Sequence, residues 1–357
     1  MSLELDPGLV TAGNPALVRR IIDEMDGGTI PFERFMELAL YEPENGYYRK
    51  PGRIGKSGDF LTSPVIHPMF GWSVAAWIHE VWTGMGMPSE FTVFEPGAGQ
   101  GQLAESVLDW FEGRDEELAK AVRYQAIEPN SAGSDPRVEW VDEPQPADAG
   151  VVISNELFDA LPVRVFDASQ RGPVEVHVRW GGEAFEETRG PVATIDGAPS
   201  QGRFEVNPKA FPLMQRLCGL IQQGAILTFD YGYPQEELYA PWRTTGTLLC
   251  FYRHTSNEDP LKHVGEQDIT SHVNFTELTA AAESAGCTVA GPLSQAEFLT
   301  NMGMGQLVES ARNDMQKYFE RRNAVQQLTD TAGLGRVRVM AAFKQLETAP
   351  PGFEESH

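Results

Sequence analysis

The chain has 357 residues, with 51 acids against 28 Lys and Arg and a formal charge of −23, so it would repel a phosphate backbone and nucleic acid is excluded as a partner. At this length, with 41% hydrophobic residues, it can bury a core larger than a minimal domain, and elaborations or two lobes are expected. No apolar run approaches the ~20 residues of a membrane span, and the start, MSLELDPGLVTAGNP, has neither a secretory h-region nor the Arg-rich, acid-poor character of a transit peptide.

From the N-terminus, Leu17, Val18, Ile21 and Ile22 form a helical stripe, and Pro31 opens a second helix running to Tyr41. A loop rich in glycine and charge follows, from Glu42 to Asp59. Asp59, Thr62 and Ser63 supply hydrogen-bonding groups for a lid over a bound ligand. The neighbouring Gly55-Lys-Ser is no phosphate loop, because position 50 is Lys where that motif needs Gly. A helix over Phe70–Trp82 places Trp72, Trp77 and Trp82 in the core, so residues 1–90 read as an N-terminal helical and lid region. Residues 91–345 read as an α/β core with strands near 91–95, 124–128, 138–141, 151–154, 225–229, 287–290 and 337–343. Two insertions are expected in it, near 163–206 and 231–274. The first alternates in the period-two manner of antiparallel strands at 163–166, 174–180 and 203–206, and the second has few periodic segments. Helices are expected over 208–223, 275–285 and 305–328, and 346–357 reads as a disordered tail.

The stretch FTVFEPGAGQGQLAESVL, residues 91–108, carries the most chemistry. It runs from an apolar strand through Glu95 to Gly97, Gly99 and Gly101, with Ala98 between the first two, and then into a helix. Glycines let the chain turn sharply and a ligand approach the backbone. A dinucleotide fingerprint needs a small residue at 102, which is Gln here. The carboxylate of Glu95 also suits a cationic or hydroxyl-rich ligand better than a pyrophosphate. The pattern resembles the first motif of the S-adenosylmethionine-dependent methyltransferases. One βα unit on, Glu128 ends the second strand, where an acid accepts hydrogen bonds from ribose hydroxyls.

Asn155, Glu156 and Asp159 leave the fourth strand at the sheet end where ligands gather. Methyl transfer mainly requires an oriented nucleophile. A guanidinium nucleophile needs carboxylates that align it and favour loss of its proton, a role Glu156 and Asp159 can fill. His254, His263 and His272 recur every nine residues, a spacing that suits neither a helix face nor a zinc knuckle, so no metal is expected. Cys218, Cys250 and Cys287 are odd in number and far apart, which fits a reducing compartment; a cytoplasmic protein is expected.

In order along the chain, FERFMELALYEPENGYY, GDFLTSP, FEPGAGQGQLA, NELFDALPV, DYGY, RTTGTLLCFYRH, DPLKHVGEQDITSHVNF and FLTNMG together resemble the MidA-type family, whose mitochondrial members are complex I assembly methyltransferases. The resemblance covers roughly residues 30–305. It implies a class I methyltransferase fold, a Rossmann-like seven-stranded sheet with an N-terminal helical region and an inserted antiparallel lobe. It further implies S-adenosyl-L-methionine as donor and, in the mitochondrial branch, a protein arginine as acceptor, with a respiratory-complex subunit as one such substrate. Carried across, Gly97, Gly99 and Gly101 face the methionine part, Glu128 the ribose, and Asn155 with Glu156 the transfer site. Positions 65 and 72, often Glu in the family, are Val and Trp here. If those acids grip the guanidinium, the substitutions point to a different acceptor. A small-molecule O- or N-methyltransferase and a catalytically silent assembly factor remain the alternative readings.

Overall fold

Continuous runs of Val, Ile, Phe and Ala suit strands buried on both faces, and here they build one mixed sheet of seven strands. In chain order these are β1 (Phe91–Pro96), β2 (Val122–Ile127), β3 (Val138–Trp140), β4 (Ala147–Asn155), β5 (Ile221–Asp230), β6 (Thr288–Ser294) and β7 (Arg338–Lys344). The computed structural model describes residues 12–49, 62–128, 133–347 and 349–353. Asp59 and most of its loop lie outside the described residues. The sheet order is β3-β2-β1-β4-β5-β7-β6, parallel through β5, with β7 antiparallel to both of its neighbours. The order reverses between β1 and β4, so the carboxyl ends of those strands frame the crevice where such sheets bind ligands. The seven-stranded α/β fold expected from the motifs is the one observed.

The chain divides into two compact units. One holds the sheet and comprises Leu61–Leu157, Phe211–Tyr231 and Phe275–His357. Its core includes Trp77, Ile78 and Trp82 of the helix Met69–Gly84, packed with Val93, Val151, Leu227 and Val339 of the sheet. The expected helix over 208–223 is shorter, Ala210–Cys218, because the Gly219 N–H closes on the carbonyls of Gln215 and Arg216 and Ile221 already begins β5. The stretch 305–328 is broken into Met304–Glu309 and Met315–Leu328, the second capped by the side chain of Asp314. Residues 349–353, read as disordered, pack instead. The Asn301 amide donates to the Gly352 carbonyl at 3.0 Å, and the Phe353 ring lies 5.6 Å from that of Phe298.

The other unit joins Met1–Phe60, Phe158–Ala210 and Gly232–Asn274. The expected N-terminal region therefore divides near residue 60, its first part sharing a core with both insertions. Leu17, Ile21 and Phe35 pack with Val165, Val178 and Val264. The Asn14 N–H donates to the Val264 carbonyl at 2.9 Å, tying the first helix to the second insertion. The antiparallel strands Arg164–Asp167, Val174–Trp180 and Arg203–Val206 fall where alternation placed them. Phe185–Val192 is an additional strand with one buried residue, Phe185, so its sequence carries no alternation to read.

Where β4 and β5 pair side by side, two glycines face each other. A Cβ on Gly224 would stand 1.8 Å from the Gly150 carbonyl oxygen, and φ there is 134°. The backbone cannot move without parting the sheet, so Gly224→Ala is expected to destabilise by about 3 kcal/mol. Urea unfolding followed by circular dichroism checks this. A midpoint equal to wild type would show that the sheet yields at this point.

Candidate active site

β1 delivers the chain into a turn that only glycine follows easily. φ is 73° at Gly97, 56° at Gly99 and 84° at Gly101, all in the left-handed region. The Gly97 N–H is bound by the Ile127 carbonyl at 2.9 Å, which ties the turn to the end of β2. Ala98 is buried within it. Gly101 caps the helix Gln102–Arg114, whose first amides face the same end of the sheet. A Cβ at Gly97 would come within 3.1 Å of the Leu157 side chain, so the glycine turn and the segment leaving β4 are in van der Waals reach.

Glu128 reaches the turn from β2: its Oε2 accepts a hydrogen bond from the Gly99 N–H at 3.2 Å. Glu95 lies beneath, 5% exposed, and accepts from the Tyr124 hydroxyl at 2.7 Å. Burial pushes its carboxyl up to about 8; the Tyr124 hydrogen bond opposes the shift, and the neighbouring Glu128 charge adds to it. The folded-state value thus exceeds the ordinary 4.5, and between the two the folded chain holds a proton that the unfolded chain has lost. The stabilisation is complete below about 4.5 and disappears as pH rises through about 8. At ~1.4 kcal/mol per unit this amounts to several kcal/mol. Glu95→Gln is expected to flatten the loss of stability between pH 6 and pH 9 in denaturant titrations. An unchanged slope would mean that Glu95 is ionised throughout.

At the end of β4, Asn155 and Glu156 are held by β5. The Glu156 N–H donates to the Phe229 carbonyl at 2.8 Å, and the Leu157 N–H to Asp230 Oδ2 at 3.1 Å. Glu156 adopts a φ of 52°, rare for a residue with a side chain. Asn155 Nδ2 donates to Glu156 Oε1 at 3.2 Å, while Asn155 Oδ1 is buried with no hydrogen-bond partner among the described residues. Asp230 is fully buried, and its Oδ1 accepts from the Tyr231 N–H. Asp230, the acid of the DYGY segment, is by this geometry the support of the Glu156–Leu157 turn. Only the β4–β5 pairing reveals this.

The remaining candidates are placed differently. Asp159 belongs to the other unit, where it is buried and its carbonyl accepts from the Ser271 N–H at 2.9 Å. Thr62 is the buried N-cap of the short helix Ser63–Ile66, and Ser63 donates to Gln295 Oε1 at 2.8 Å. Val65 is buried, and Trp72 lies under the Arg321 guanidinium at 5.1 Å, so neither position offers a carboxylate. His263 stacks on Tyr252 with ring centroids 3.9 Å apart, and His272 lies against Tyr233.

Residues 73–293 match the family described as "Putative S-adenosyl-L-methionine-dependent methyltransferase". A Drosophila melanogaster relative, "Protein arginine methyltransferase NDUFAF7 homolog, mitochondrial", is 27% identical over 88% of this chain and 82% of its own length. The Mus musculus "Protein arginine methyltransferase NDUFAF7, mitochondrial" is 28% identical over 78% of this chain and 71% of its own length. A crystal structure from Burkholderia thailandensis, bound to S-adenosyl-homocysteine, has a TM-score of 0.88 at 29% identity and covers 100% of this chain and 98% of that one. The expectation of a cytoplasmic protein is overturned, since these curated relatives are mitochondrial. Its basis was weak physically, because free thiols report a reducing environment and do not distinguish one reducing compartment from another. The family match spans more than half of the residues and bears out the resemblance read from the motifs: the chain belongs to this family of S-adenosyl-L-methionine-dependent methyltransferases.

Proposed function

We propose that the enzyme methylates an arginine side chain of a protein, with the Glu156 carboxylate orienting the guanidinium. The observation that carries this reading is the backbone of Glu156. A left-handed non-glycine residue costs on the order of 1 kcal/mol, and strain of that kind persists where the surrounding structure enforces it for a purpose. Here β5 enforces it through Phe229 and Asp230. The printed names of the curated relatives, protein arginine methyltransferases, support the choice of acceptor.

The residues present fit the donor. Gly97, Ala98, Gly99 and Gly101 shape a backbone turn that a ligand can approach, and Glu128 offers a carboxylate to ribose hydroxyls. Glu95 supports the turn from beneath as a buried, protonated carboxyl and not as the donor ligand expected of it, and Asn155 Oδ1 is a buried acceptor without a partner among the described residues. When bound, S-adenosylmethionine supplies an electrophilic methyl carbon. Arginine arrives protonated, since its pKa lies above 12. Glu156 accepts hydrogen bonds from the guanidinium, fixes its plane and takes up the proton released as the C–N bond forms. Asn155 Nδ2 fixes the rotamer of that carboxylate. In this reading a respiratory-complex subunit is the first acceptor to try.

Titration calorimetry with S-adenosylhomocysteine, run beside NAD, tests the donor site: saturable binding of the first alone is expected. Labelled donor incubated with mitochondrial extract then tests the acceptor. Mass spectrometry should find added methyl groups on arginine. Label confined to the low-molecular-weight filtrate would favour a small-molecule acceptor, and donor binding without any transfer would favour a silent scaffold.

A further inference from the structure

Two of the three cysteines, distant in sequence, meet in the sheet unit. The helix Ala210–Cys218 ends on Cys218, and Cys287 lies between the helix Phe275–Ser284 and β6. Gln215 Nε2 donates to Ser284 Oγ at 2.9 Å. Three residues further along each segment stand the two cysteines, close enough that each shifts the titration of the other. β7 completes the group. Thr288 faces Phe343 in the antiparallel register, which brings Lys344 beside Cys287, and the Lys344 ammonium donates to the Cys218 carbonyl at 2.6 Å. Cys218 and the nearby ammonium hold the Cys287 thiol below its ordinary value against the opposing effect of burial, while Cys287 and burial push the Cys218 thiol up. Cys287 retains 7% exposure and Cys218 none, so a small oxidant meets Cys287 first.

We propose that Cys218 and Cys287 are an oxidative modification site, at which a peroxide attacked by Cys287 leads to a Cys218–Cys287 disulfide. In the first step the Cys287 thiolate attacks one oxygen of hydrogen peroxide. The O–O bond breaks, leaving a sulfenic acid and hydroxide, which a proton from solvent converts to water. In the second step the Cys218 sulfur attacks the sulfenic sulfur. The S–S bond forms, the S–O bond breaks, and the hydroxyl leaves with the Cys218 proton as water. Overall, two thiols and one peroxide give one disulfide and two waters. Cys250 belongs to the other unit, and burial pushes its thiol up, so it serves as an internal control that stays reduced.

The bridge would join the chain near the start of β5 to the entry of β6. Asp230, which supports the Glu156 turn, is at the opposite end of β5, about 30 Å away for a ten-residue strand. Oxidation is therefore expected to leave donor affinity unchanged and to raise the thermal midpoint by roughly 5 °C, since the bridge closes a long loop.

The test treats the full chain with hydrogen peroxide, blocks remaining thiols under denaturing conditions and maps the peptides. A Cys218–Cys287 linked peptide that a thiol reductant dissolves is the expected product, with Cys250 recovered blocked. Cys218→Ala should instead accumulate a sulfenic acid at Cys287 that reacts with dimedone. Lys344→Met should slow oxidation about tenfold through loss of the ammonium. The proposal fails if folded wild-type protein retains both thiols after peroxide, or if Cys287 passes to sulfinic or sulfonic acid without a link.

Discussion

Gly99→Val is expected to weaken S-adenosylhomocysteine binding by about three orders of magnitude while the sheet remains folded. Gly99 sits at φ 56°, a conformation that a β-branched residue does not hold, so valine forces the turn to rearrange. The Gly99 N–H would then leave Glu128, separating the two groups proposed to hold the donor. The new side chain would also stand where the ligand approaches the backbone. Gly113→Ala, in the helix that follows, is the control, because a Cβ there meets nothing within 4 Å. Calorimetry on both variants, with circular dichroism to confirm folding, gives the comparison. Wild-type affinity in Gly99→Val would remove the glycine turn from the donor site.

The second large effect concerns Glu156. Glu156→Gln keeps the size of the side chain and the φ of 52° but removes the charge, so turnover should fall by about 10²–10⁴ with donor affinity intact. Glu156→Gly separates the two contributions. It relieves the left-handed strain, so stability should be equal to wild type or higher by up to about 1 kcal/mol, while activity is lost all the same. Turnover at the wild-type rate in Glu156→Gln would assign the proton and the guanidinium to another group. Lower stability in Glu156→Gly would mean that the side chain, held by Asn155, stabilises more than the strain costs.

These variants rest on residues the sequence made visible to different degrees. The glycine turn was legible because its requirement is local: three alternating glycines after an apolar strand specify backbone conformation, and Gly97, Gly99 and Gly101 adopt it. The strands were legible for a similar reason, since runs such as Val151–Ser154 are buried on both faces and apolar throughout. The pairing of Glu95 with Tyr124 was hidden. It depends on β1 and β2 lying side by side in a register that sets Val93 against Tyr124. Asp230 was visible as an acid at a strand end, but its function as the support of the Glu156 turn arises from β4 and β5 being neighbours.

The sequence by itself determined the class of fold, the donor and the position of the glycine turn. The turn and the strands follow from short-range constraints, φ values that glycine adopts most easily and the period of apolar residues, while the donor and the fold class follow from the resemblance of the ordered motifs to a methyltransferase family. Tertiary structure decided the partition of the chain, in which residues 12–48 share a core with two segments more than a hundred residues downstream. It also decided which carboxyls are buried, which are tied to backbone, and which unit holds Asp159. The physical reason is the same in each case. Burial and hydrogen-bond partners are properties of neighbours in space, and a chain brings those neighbours together only once its strands have chosen their order.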